Sequence, residues 1–189
     1  MYPYNKPTPT YKVIVALIKD DKLFCYKQNK LGAFKLPYKE TQSSKVDYTD
    51  MAEDILKELG VTARYSTGCY FSNDKTEVMV YSYAKGKLDG EYKTKWLELE
   101  DINRSNLVLE PEEVLEEIKK LLKKQNYKII EERFDLRINR ERVAWETRCS
   151  EVVARTKFLE YIHDWQELNL VGQLRLYDES GNKIWEELF

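Results

Sequence analysis

Val13 to Ile18 read VIVALI, the longest unbroken apolar run in the chain. Such a run, rich in β-branched residues, has no polar side to offer water and predicts a buried strand. It is far too short to cross a bilayer, which needs about 20 apolar residues. It follows no basic segment and leads into Lys19-Asp20-Asp21, so a signal peptide is not expected. The chain is therefore read as cytoplasmic, with no membrane partner.

Around that strand the sequence sets out further elements. Residues 1–10 carry prolines and little core, and read as an extended arm. KDDK turns the first strand into LFCYKQ, and KLGAFKLP gives a short edge segment stopped by Pro37. The stretch from Leu36 begins as a tight loop and ends as a helix. In that helix Tyr48, Met51, Ala52, Ile55 and Leu59 form one apolar stripe, with Asp47 as N-cap and Gly60 as stop. VTARYSTGCYF and TEVMVYSYA follow as strands around SNDK. KGKLDGE is a loop and YKTKWLELED another strand. Pro111 opens a second helix, whose buried stripe is Val114, Leu115, Ile118, Leu121 and Leu122.

After Asn126 the pattern changes. Phe134, Leu136 and Ile138 alternate with charged residues, as a half-exposed strand does. ERVAWETRCSEVV fits a strand or a helix. TKFLEYIHDWQEL is a helix, and the remainder is a hairpin around residues 179–182. Residues 126–189 thus form a small α/β module read as strand, strand, helix, hairpin, with a winged helix as the alternative. Trp145, Trp165 and Trp185 are either its core or anchors for a protein contact or homodimer face.

Charge argues against nucleic acid. Residues 1–110 hold 17 Lys+Arg and 16 Asp+Glu, and residues 111–189 hold 14 and 17. Neither part has the basic excess that phosphate neutralisation requires. The 14 tyrosines are read mainly as sheet residues. Three widely spaced cysteines suggest neither a zinc site nor a disulfide framework, and Cys25 is assigned to the core. The single histidine, His163, is read as structural or superficial rather than as a general base.

The order of elements over residues 11–125, with Leu36-Pro37 before the helix and Leu59-Gly60-Val61 closing it, resembles the Nudix hydrolase family. The family's box, G-x5-E-x7-R-E-U-x-E-E-x-G-U with U a bulky aliphatic, lies on residues 39–61 without a gap. Its chemistry departs from the family's. Lys39 stands at the glycine, Lys45 at the first glutamate and Glu53 at the arginine. Asp54 takes the next glutamate and Lys57 the first of the closing pair, of which Glu58 keeps the second. The resemblance implies an α+β fold: a mixed sheet in an α/β/α sandwich, here with a small C-terminal extension.

In the family, divalent ions, usually Mg²⁺, bridge the phosphates and activate water. Carboxylate oxygens suit such hard cations. Lys57 sets a positive charge among them. At about 4 Å, two unit charges interact by roughly 4 kcal/mol at an effective dielectric of 20. Three readings of this helix face stand together. It is a solvated surface; or Asp50, Asp54 and Glu58 hold one Mg²⁺, with Asp54 and Glu58 as catalytic candidates; or Lys39, Lys45 and Lys57 bind phosphate directly. The preferred function is a degenerate Nudix-fold protein that binds a nucleotide-like phosphate compound or a protein partner, with hydrolysis weak or absent. The alternatives are an active Mg²⁺-dependent pyrophosphohydrolase of a nucleoside diphosphate-linked compound, and a regulatory protein with a winged-helix-like C-terminal domain.

Overall fold

The computed structural model describes residues 9–27, 33–43, 45, 47–71, 75–86, 93–104, 112–134 and 139–189. The expected arm at 1–8, the turn at 72–74, the loop at 87–91, Pro111, Leu136 and Ile138 lie outside the described residues.

The apolar run becomes β1 (Tyr11–Lys19), the middle of a six-stranded sheet. β5 (Thr76–Gly86) pairs with it in parallel, and β4 (Val61–Phe71) pairs antiparallel with β5. On the other side come β2 (Lys22–Lys27) and then β6 (Lys93–Leu97), each antiparallel to its neighbour. Alternation along β1 divides its side chains between two cores. Val13, Val15 and Leu17 pack under α1 (Tyr48–Glu58) against Ala52, Ile55 and Leu56. Ile14, Ala16 and Ile18 face Ile102, Val114 and Ile118 of α2 (Leu99–Arg104) and α3 (Glu112–Leu122). The fold is α+β, with a mixed sheet covered on both faces. Each Val, Leu or Ile among these contributes about 1.5–3 kcal/mol when fully buried.

α1 is bounded as its sequence specifies. Asp47 accepts hydrogen bonds from the backbone N–H groups of Thr49 and Asp50, satisfying two of the helix's open donors. Gly60 leaves the helix at φ +67°. Gly86 pairs with Val61 just beyond, at φ +138°, where an added Cβ would collide with the Gly60 carbonyl oxygen. The exit of α1 and the end of β5 can therefore lie this close only with glycine at 86.

Residues from Gln125 onward form a second, antiparallel sheet in the order β10-β9-β7-β8. Its members are β7 (Gln125–Phe134), β8 (Asn139–Cys149), β9 (Gly172–Tyr177) and β10 (Lys183–Leu188). α4 (Glu151–Glu167) crosses from β8 to β9, giving strand, strand, helix, hairpin. Phe158 and Trp165 pack against Tyr127, Ile129, Leu174 and Leu176 in its core. Val152, at the start of the same helix, belongs to the core of the first sheet. Asp21 adds a second link, accepting from the Ser150 backbone and pairing with Lys124 at 3.4 Å.

Three local expectations change. Residues 38–41 are not loop but β3 (Tyr38–Thr41), antiparallel to the first half of β1. β2 pairs only with the far end of β1, which leaves that half of the edge open for β3. The strand expected over YKTKWLELED stops at Leu97, and Leu99 begins α2, which lays Ile102 into the core. The ambiguous stretch is strand as far as Cys149. Ser150 then caps α4 by accepting from the Val153 N–H, so the helix starts well before Thr156. Among the described residues no helix is long and apolar enough to cross a membrane.

Candidate functional site

α1 shows two polar rows to solvent. Asp50, Asp54 and Glu58 form one, and all three are exposed. β3 brings Lys39 beneath its C-terminal end, and the Lys39 ammonium meets Glu58 Oε1 at 2.6 Å. The box glutamate that the sequence retains is thus already neutralised by the lysine at the box's first position. Lys45 is exposed; its backbone N–H donates to Ser43 Oγ, and its side chain has no ion pair within 4.0 Å among the described residues. Asp50, Asp54 and Glu58 do not bring three ligand atoms within 4.8 Å of one another. Among the described residues only the exposed His163, Asp164 and Glu167 do. That trio sits on the outer surface of α4 and carries nothing further. The donor set on α1 therefore does not fit a three-carboxylate Mg²⁺ site as it stands.

The second row is Thr49, Glu53 and Lys57, which overhangs β4. Between them lies a groove of about 440 Å³. The sequence sets Lys57 among the carboxylates, but in the structure it has no ion pair within 4.0 Å among the described residues. It lines the groove together with Arg64, Ser66 and Tyr81. β4 carries irregular register against β5 between Thr62 and Gly68, which turns Arg64 and neighbouring polar side chains toward this opening. Tyr81 is buried, and its hydroxyl has no well-formed hydrogen bond among the described residues. Burial raises its pKa, the Glu53 carboxylate adds to the rise, and Ser66 opposes it.

Beneath the start of α1 lies Glu77, 4% exposed and with Oε2 unpartnered among the described residues. Desolvation pushes its pKa up to about 7, and the Asp47 carboxylate contributes in the same direction. Neither Glu77 nor Tyr81 stood out in the sequence reading. The signal was present: with Met79 they form one alternating face of β5, and a carboxylate on such a face is anomalous. Cys25 is fully buried, with its pKa pushed up to about 12 by desolvation, so it is an inert core thiol. His163 is exposed, 3.7 Å from Glu167. Trp165 is core, and Trp185 packs on Phe158 at 5.3 Å, while Trp145 faces the junction of the two sheets.

No protein-family model and no curated protein matches the sequence. The structure is similar to solved Nudix-type proteins. MutT from Aliivibrio salmonicida and Vibrio cholerae matches at 12% identity and a TM-score of 0.45, over 58% of this chain and 96% of that one. An ADP-ribose pyrophosphatase from Streptococcus suis matches at 18% and 0.38, over 50% of this chain and 77% of that one. A UDP-X diphosphatase matches at 10% and 0.45, over 62% and 64% of the two chains.

Proposed function

We propose that residues 11–125 are a Nudix-type domain that binds a nucleotide-like phosphate compound without hydrolysing it at an appreciable rate. The observation that carries this reading is Lys57, a cation with no ion pair among the described residues, lining a groove that also holds Arg64, Ser66 and Tyr81. Lys57 is a point charge for phosphate, and Arg64, whose guanidinium pairs with Glu160, adds positive charge to the groove wall. Lys39 belongs to the same design in a different role: it neutralises Glu58, the position where an ion would otherwise be held. Lys45 adds positive charge near the entrance to the helix. Mg²⁺ is not required for this binding. Asp50 and Asp54 remain as solvated carboxylates, and no water-activating step passes through them.

Turnover is the discriminating assay. Wild-type protein with ADP-ribose, a dinucleoside polyphosphate or a nucleoside triphosphate, each with Mg²⁺, is expected to release product far more slowly than the usual enzyme range of about 1–10³ per second. Turnover within that range, abolished by Asp54→Asn, would replace this reading with an active pyrophosphohydrolase using Asp50, Asp54 and Glu58.

A further inference from the structure

A second cavity, also about 440 Å³, lies where α4 and β8 meet the open ends of β1 and β5. Its walls come from both sheets, and Arg64 lines both it and the α1 groove. Cavities of about 300–1,000 Å³ at such junctions are the size that small ligands occupy. Two aromatic side chains, Tyr83 and Trp145, stand in its wall, both partly exposed.

Its charges are unequal in their engagement. Glu160, 19% exposed, is held by Arg64 and, at 2.9 Å, by Lys157. Lys19 has no carboxylate within 4.0 Å among the described residues; its ammonium stands 5.1 Å from the centre of the Tyr83 ring. Asp20 stands beside it at the mouth, exposed. With three cations against two carboxylates, the lining carries one uncompensated positive charge. At the back is Ser82, 6% exposed, whose Oγ has no partner among the described residues.

We infer that this junction cavity binds a flat aromatic ring carrying a compact anionic group, of the size of a nucleoside monophosphate. The ring stacks against Trp145 and Tyr83, as bases do on aromatic platforms. The anion meets Lys19 and Lys157. The site exists only where the two sheets come together, because Lys19 and Ser82 belong to the first and Trp145 and Lys157 to the second and its helix. It does not rest on the reading of the α1 groove.

Calorimetric titration of the full chain with AMP tests this, with adenosine and inorganic phosphate as separate titrants. AMP is expected to bind at least tenfold more tightly than either. Lys19→Gln and Lys157→Gln, one from each side of the cavity, are each expected to weaken AMP at least fivefold, and Trp145→Ala at least tenfold. Lys57→Gln, in the other groove, is expected to leave AMP affinity within twofold. The inference is overturned if AMP does not bind at millimolar concentration. It is equally overturned if phosphate or adenosine alone binds as well as AMP, or if affinity follows Lys57 and ignores Lys19 and Lys157.

Discussion

Replacing Glu77 with glutamine is expected to stabilise the protein above pH 7 and to leave it unchanged near pH 4. In the folded chain the Glu77 carboxyl is 4% exposed, with Oε2 unpartnered and its pKa raised to about 7, whereas the unfolded chain has the ordinary 4.5. A carboxyl whose folded pKa is raised favours folding while it stays protonated in both states. That contribution is complete below pH 4.5 and disappears as pH rises to 7. Above that the folded protein carries a buried charge that the unfolded chain would hydrate. A shift of this size corresponds to about 3 kcal/mol. The neutral glutamine amide meets the same surroundings as the protonated carboxyl, so a net gain of about 1–3 kcal/mol is expected at pH 8. For a chain of this length that is several degrees in melting temperature, at about 2–4 °C per kcal/mol. Melts of both proteins from pH 4 to 8 should coincide at the acid end and diverge on the way up. Parallel curves would mean that Glu77 titrates alike in the folded and the unfolded chain, and would contradict the raised pKa.

Phe158→Ala is expected to cost about 3–5 kcal/mol, the usual range for truncating a buried aromatic. Phe158 is 0% exposed and stacks obliquely on Trp185 at the centre of the second core. The form of the loss is informative. α4 buries Phe158 in one core and Val152 in the other, so the damage should spread through a single transition. Urea unfolding followed by tryptophan fluorescence should show one transition at a lower midpoint. An additional early transition, with the remainder unmoved, would show that residues from Gln125 onward unfold independently.

Local patterns carried most of the fold. The stripe of α1, its Asp47 cap and its Gly60 exit are each written within a few residues, and the structure contains all three. The second unit's order was legible for the same reason. What was not legible depends on distant pairing. Tyr38 to Thr41 have little strand character of their own; the open half-edge of β1 makes them a strand. Leu99 and Ile102 become helix because the core of the first sheet is open to them. The candidate site divides along the same line. Spacing in the sequence set Lys57 among Asp54 and Glu58. The structure gives Glu58 to Lys39, and sets Lys57 over a groove floored by Tyr81 and walled by Arg64, residues brought there by the β4–β5 register.

The central claim is that a lysine occupies the role an ion would have. Calorimetric titration of the wild type and Lys57→Gln with ADP-ribose, in excess chelator, tests it most directly. The wild type is expected to bind without any divalent ion, and Lys57→Gln to bind at least tenfold more weakly, a loss of about 1.4 kcal/mol or more. Binding that appears only when Mg²⁺ is restored, and is indifferent to Lys57, would contradict it.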